Sequence, residues 1–358
     1  GKFAAAASWS IFLNLTMIAA LLLAGWFPNA GYAAAAGVFV AGIVQFLFIG
    51  WAAAKSGLRL KLTRLKWDAE TKNFLIAFGA ATIGSASVQI SLFIDNLIAS
   101  FLPSGDLTAL YYADRINQLP MGVLGIALGT VLLPEMSNLL AKGDRAGSDA
   151  AQNRAAAMGL MLTLPFVAAY FAVPGTIMHA LFAHGAFDAK AAAIAAGALT
   201  AYGVGLPAFV MVRIVGTSFY ARGDTASPVR ATITAIAVNI ALKVVLVWGL
   251  SFGAAGIALG TACGAWSNVG LLLWMARRQK IVAVAPVFTR SLLPSLMAAL
   301  ATGVGAFYGA RLAAAAVAHP GLMHDAATLS GAILLGGVGY VAVLAAFRRR
   351  LPFPVKRA

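Results

Sequence analysis

The sequence predicts an all-α, polytopic integral membrane protein of about ten transmembrane helices, and three observations predict it. The 358 residues are 61% hydrophobic and only 10% charged, whereas roughly a quarter of a soluble domain is charged. Long stretches, 3–54, 155–187 and 244–276, carry no charge at all. A helix crossing a ~30 Å hydrocarbon core needs about 20 apolar residues, so each stretch holds a span and the first holds two. Lastly, lysine and arginine collect in alternate loops, the positive-inside pattern of multi-pass proteins.

Cutting the apolar runs at turn signals gives spans near 8–27, 32–54, 74–102, 107–139, 156–174, 191–220, 229–250, 253–276, 290–311 and 326–347. The breaks carry turn chemistry, as in Pro28-Asn29-Ala30-Gly31, Pro103-Ser104-Gly105-Asp106, Gly223-Asp224 before Pro228, and His319-Pro320-Gly321. One alternating set of loops and ends holds 21 of the 26 basic residues, including the 55–72 cluster and the 348–357 tail. The opposite set has only Lys190 and Arg311, while Arg115, Arg213 and Lys243 fall inside spans. Both termini are therefore expected in the cytoplasm. The net charge of +15 then reports topology and anionic headgroups rather than nucleic acid.

Cys263 is the one cysteine, so no disulfide forms within the chain, and a small buried hydrophobe is the expected role. The four histidines, His179, His184, His319 and His324, fall in two loops on the sparsely charged side, without metal-binding spacing. No Walker motif, His constellation or paired carboxylates appear, so the chain is expected not to be an enzyme.

Residues 55–73 (KSGLRLKLTRLKWDAETKN) form the most polar internal stretch. They read as a strand-like or amphipathic segment on the inner leaflet, as a linker between helical bundles, or as a solvated basic loop. After residue 278, KIVAVAPVFTR sets apart two final spans rich in Ala and Gly. GIALGT occurs at 125–130 and again at 256–261. Its glycines, four apart, let a neighbouring helix approach closely.

An ionisable group inside a span costs at least a few kcal/mol and demands a partner. Asp95 and Lys243 each stand about 12 Å below the same expected membrane face at a 1.5 Å rise per residue. They can pair, with Asn239 one turn from Lys243 able to join. The pair reads as a structural lock, or as a cation-responsive site whose carboxylate is satisfied alternately by a cation and by protein groups. On the fourth span Tyr111, Arg115, Gln118 and Gly122 share one helical face, while Leu119, Val123 and Ile126 supply an apolar one. A polar face over a glycine fits the lining of a wet cavity. There the forked donors of Arg115 match phosphate oxygens, unless Asp114 or Asp95 holds the arginine as a structural pair. Arg213, nine residues before Arg222, is expected to snorkel to the inner surface.

The run YYADRINQLPMGVLGIALGTVLLPEMS resembles the hallmark of the MurJ (MviN) lipid II flippase family. QISLFIDNLIASFL, SFYARGDTASPV and SIFLNLTMIAA stand in the order that family shows. The resemblance covers essentially the whole chain. It implies membership of the larger group of multidrug, oligosaccharidyl-lipid and polysaccharide exporters. On that plan residues 1–54 are the last two helices of an N-lobe, 55–73 a cytoplasmic linker, 74–278 a six-helix C-lobe, and 279–358 an added helix pair forming a lipid-tail groove, with a basic tail. The chain, which opens Gly-Lys-Phe, would be the C-terminal portion of a longer protein lacking about four helices and the N-lobe arginines.

The resemblance further implies that Arg115 is a substrate-binding cavity arginine, with Asp114, Tyr111 and Gln118 beside it. Gln118 stands where some relatives have glutamate. Asp95 and Asn239 resemble part of a sodium site, but Lys243 occupies the place of a second acidic ligand. Its ammonium would stand in for the ion and leave membrane potential as the driving force. The implied function is movement of lipid II, the undecaprenyl-pyrophosphate-linked peptidoglycan precursor, across the bacterial inner membrane by alternating access, with cell-wall synthesis proteins as partners and no organic cofactor. The rival readings are a drug or cation antiporter of the same fold, a non-transporting scaffold of cell-wall synthesis, and an intramembrane glycosyltransferase using Asp188 or Asp325.

Overall fold

A computed structural model describes residues 9–55, 67–68, 71–72, 75, 89–185, 187–281, 285–317, 319 and 321–352. The basic segment 55–73 and the first half of the third expected span fall almost wholly outside these residues. The chain divides into two compact units, Gly1–Ala77 and Phe78–Ala358.

In the first unit α1 (Trp9–Leu22) leads through a 3₁₀ turn at Ala24–Trp26 to α2 (Ala30–Lys55). The side chain of Asn29 accepts a hydrogen bond from Tyr32 N at 3.1 Å and starts α2. Ala33, Gly37 and Ala41 recur every fourth residue on the buried stripe of α2. A methyl group on Gly37 would sit 2.9 Å from the Ala20 side chain. The two helices thus meet on small residues, while Phe12 and Phe48 stack at 4.6 Å.

The second unit comprises α3 (Gln89–Ala99), α4 (Asp106–Ala141), α5 (Arg145–Ala172), α6 (Pro174–Phe182), α7 (Ala189–Tyr220), α8 (Ala226–Val244), α9 (Gly253–Arg278), α10 (Pro286–Ala316) and α11 (Leu322–Ala346). Among the described residues of both units, eight helices are long and apolar enough to span a membrane, and two shorter apolar helices accompany them. The expected all-α membrane architecture is what the chain adopts. Helix α7 is its centre: 72% of its apolar window is buried, against 11% for α11. It packs on α4, α5 and α9, and Gly205 lets it meet α9 at Ala262, whose Cα would lie 2.7 Å from an added methyl.

The ends of the helices sort as the loop charges do. At one end Arg154 pairs with Glu135 at 2.5 Å and Arg222 with Asp149 at 3.8 Å. Ala285 N donates there to Asn153 Oδ1 at 2.9 Å. Asp224 caps α8 at the same end by accepting from Ser227 N and Oγ, and the Ser227 hydroxyl holds its carboxyl below the usual range. At the opposite end His179 meets Asp325 at 3.1 Å.

Two elements differ from the sequence expectation. The segment after the fifth span is a separate helix, α6, because Pro174 breaks α5 and then suits the first turn of a new helix. The seventh span closes in a π turn at Val245–Gly249, directly after Lys243. The repeated GIALGT also splits in role. Gly256 and Gly260 do sit under close neighbours, but Gly129 has nothing within 4 Å and is not a close-approach site.

Prolines inside spans leave carbonyls without a helical donor, and hydrocarbon offers no water to replace it. Pro120 orphans the carbonyl of Ile116, and Tyr170 Oη of α5 donates to it at 3.1 Å. Pro165 orphans that of Met161, which receives Tyr340 Oη of α11 at 2.9 Å. Pro174 orphans that of Tyr170, which receives Thr200 Oγ1 of α7 at 2.9 Å. Tyr170→Phe should destabilise the protein by about 0.6–2 kcal/mol, read as a lower unfolding temperature in detergent. Adding Pro120→Ala should recover most of that loss, because residue 120 then supplies its own N–H to Ile116; a second, additive loss would refute this account.

Candidate functional site

Helix α4 has two faces. Ala109, Ala113, Asn117 and Pro120 turn inward; Asn117 is 1% exposed and donates to the Met121 sulfur at 3.4 Å. Tyr111, Arg115 and Gln118 are exposed on the other face, with Gly122 half-buried in line with them. The shared polar face expected from spacing is therefore present. Leu119 and Val123 are exposed beside it.

Along that face each polar side chain meets another one turn away. Gln118 donates its amide to the Asp114 carboxylate one turn earlier. Arg115 donates to the Tyr111 hydroxyl and lies 4.7 Å from the centre of the Tyr111 ring. Among the described residues no carboxylate pairs with Arg115. Asp114 and Asp95 are engaged instead by Gln118 and Lys243. Tyrosine as partner leaves the guanidinium with its full positive charge and with unused donors of its five. Such a group, exposed on a membrane-spanning helix, suits an anion with several oxygens.

Asp95 of α3 and Lys243 of α8 form the expected ion pair. The Lys243 side chain is fully buried and the Asp95 side chain 18% exposed. Gly260 of α9 makes this burial feasible, because a methyl there would stand 2.5 Å from Lys243 Cγ.

Asn239 does not join the ion pair. It packs over Gly264 of α9, and its Oδ1 is buried without a hydrogen-bond partner among the described residues. Arg213 is exposed, and its stem passes over Gly125 of α4, with Nε 3.0 Å from where a methyl would be. The missing side chain at Gly125 provides that lane. Arg213 thereby lies over α4 about 15 Å further along the helix than Arg115. Asp188 caps α7 by accepting from Ala191 N at 2.8 Å, and Asp325 is taken by His179. Among the described residues no three His, Cys, Asp or Glu side chains gather to hold a metal.

Sequence reasoning missed Asn117 and the Arg213–Gly125 contact. The first was visible, since Asn117 lies four residues from Ala113 on the inward stripe. The second depends on how α7 crosses α4, and no local pattern carries that.

The ion pair yields a test. Lys243→Met leaves a buried carboxylate alone and should cost about 3–5 kcal/mol. Asp95→Asn should also destabilise strongly, whereas the double variant should recover most of either loss. The check is a double-mutant cycle on thermal unfolding in detergent, and simple additivity would show that the two groups do not interact.

Comparison with known proteins places these features. The family model described as "Lipid II flippase MurJ" matches residues 1–347. The probable lipid II flippase MurJ of Rickettsia prowazekii is 34% identical over 278 residues, 78% of this chain and 54% of that protein. The protein of the same name from Rhizobium tropici is 38% identical over 285 residues, 78% of this chain and 53% of that one. That from Vibrio cholerae is 31% identical over 354 residues, covering 96% and 65%. The chain thus spans about half to two thirds of the length of these relatives. A solved structure of the lipid II flippase MurJ in an inward closed conformation superposes with a TM-score of 0.72 at 24% identity, over 95% of this chain and 66% of that one, which shows a common fold. With a family match across nearly its whole length, this chain belongs to the lipid II flippase MurJ family.

Proposed function

We propose that this chain provides the C-terminal helices of a lipid II flippase in the bacterial inner membrane, with the basic loops and both ends of the chain in the cytoplasm. The observation that carries the reading is Arg115: an exposed guanidinium on a membrane-spanning helix, with tyrosine and no carboxylate as its partner. A pyrophosphate crossing hydrocarbon unpaired would face a prohibitive desolvation cost. Arg115 offers it charge-assisted donors, Gln118 and Tyr111 flank them, and Asp114 is kept off the arginine by Gln118. The undecaprenyl tail stays in lipid beside α10 and α11, and rocking of two lobes exposes the headgroup to alternate sides.

The driving force follows from Lys243. A sodium ion does not fit at Asp95, because the Lys243 ammonium already occupies the carboxylate and would repel a second cation. Asn239, the other expected ligand, faces α9 instead. Membrane potential, worth ~2.3 kcal/mol per charge per 100 mV, remains as the driving term. Partnership with cell-wall synthesis proteins is part of the same proposal, since a flipped precursor needs a polymerising enzyme to consume it.

The test uses the full-length protein in cells depleted of their own flippase, with an external enzyme that cleaves lipid II reporting what reaches the outer face. Wild type should restore cleavage. Arg115→Ala should lower it about tenfold or more, the equivalent of losing a charge-assisted hydrogen bond; full activity in that variant would overturn the site. Replacing sodium by choline should leave cleavage unchanged, and dissipating the membrane potential should stop it. Arrest by sodium removal alone would refute the role given to Lys243.

A further inference from the structure

Helix α10 carries a second face that the substrate reading does not use. Leu300, Val304, Phe307 and Arg311 recur at helical spacing. The first three line an apolar groove of about 640 Å³ against α5, walled there by Leu164 and Phe171. One turn on, Arg311 lines a cavity of about 600 Å³ whose other walls are α6, the start of α7 and the start of α11. The Arg311 guanidinium lies 4.5 Å from the centre of the Phe307 ring, at the junction of groove and cavity.

The cavity is built for an anion. Arg311 has no carboxylate partner among the described residues. His179 and His324 line the same space. His324 Nδ1 donates to the Val317 carbonyl at 2.5 Å and His179 Nδ1 to Asp325 at 3.1 Å, so in each neutral ring Nε2 is left as an acceptor for a hydroxyl of the headgroup rather than as a donor to its phosphate. Asp325, the one carboxylate in the wall, is buried and held by His179. The first turns of α6 and α11 border the cavity too, and no side chain caps either. Their free N–H groups add partial positive charge.

We propose that groove and cavity together bind one anionic bilayer phospholipid, its phosphate against Arg311 and an acyl chain along Leu300, Val304 and Phe307. The groove follows α10 for only about 10 Å between Leu300 and Phe307, room for one chain segment beside a single phosphate. One guanidinium matches a single phosphodiester better than a pyrophosphate, and two imidazole acceptors suit the hydroxyls of a polyol headgroup. The site stands at the end of the bundle away from the basic loops, so the lipid comes from the outer leaflet on the orientation proposed above. It is separate from the Arg115 face and does not rest on the lipid II reading.

The experiment takes the full chain in nanodiscs of phosphatidylcholine and titrates phosphatidylglycerol, reading bound lipid by native mass spectrometry. Phosphatidylglycerol should bind in preference to phosphatidylcholine. Arg311→Ala, at an exposed position, should weaken it about tenfold or more, and Leu300→Trp, which fills the groove, should weaken it as well. Arg115→Ala should leave it unchanged. Equal binding of the two phospholipids, or an unaffected Arg311→Ala variant that elutes as folded protein, overturns the proposal. Displacement of phosphatidylglycerol by polyprenyl phosphate at equal concentration also overturns it and returns the pocket to the transported lipid.

Discussion

A carbonyl that loses its helical donor inside a bilayer must find another donor in the protein, and this constraint organises the second unit. Tyr170 answers it twice. Its hydroxyl satisfies Ile116 on α4, and its own carbonyl, stranded by Pro174, takes the Thr200 hydroxyl of α7. One residue thus ties three helices at the level of Arg115, which immediately precedes Ile116. The proline that weakens α4 is the reason that its neighbours hold it there. Each such bond is worth only about 0.6–2 kcal/mol, yet each fixes where one helix crosses another. The exposed polar face of α4 keeps its aim because its back is fastened.

The same accounting separates closed charges from open ones. Lys243 is fully buried on a glycine and meets Asp95. Arg154 meets Glu135, and Arg222 meets Asp149. Those groups have their counter-charge within the protein and gain little from a ligand. Arg115 and Arg311 rest instead on aromatic rings. A ring orients a guanidinium and shields one face without neutralising it. In a chain that avoids charge in its spans, two such arginines point to ligands whose charge comes from outside.

The spans, the polar face of α4 and the depth match of Asp95 with Lys243 were all legible in the sequence, because each follows from periodicity and a fixed rise per residue. What was not legible depends on contacts between distant residues. The Tyr340 hydroxyl reaches Met161 across 179 positions, and no local pattern announces that pairing. Arg213 reads from its position as an arginine that reaches for the membrane surface; that its stem passes over Gly125 of α4 depends on how two helices cross. Asn239 shares a helical face with Lys243, but Gly264 offers it a closer seat than the ion pair does. The π turn at Val245–Gly249 has no compositional signal, since its residues read as a continuing apolar helix.

Helix α10 shows how one packing choice creates both a lock and a vacancy. Its Gly305 and Gly309 lie so close to α11 that a methyl on Gly309 would collide with the Gly331 carbonyl, and one on Gly305 would stand 2.5 Å from that of Leu335. Backbone-to-backbone contact of this kind spends the small residues on one side of α10. The large ones, Leu300 and Phe307, are then forced to the opposite side, where Gly303 of α10 and Ala168 of α5 keep the helices close but leave the groove beyond them unfilled. A helix pair serving only as bulk in the bilayer would have no reason to end that apolar face in an arginine beside two histidines. The polar end of the groove is what distinguishes a lipid site from a merely lipid-facing surface.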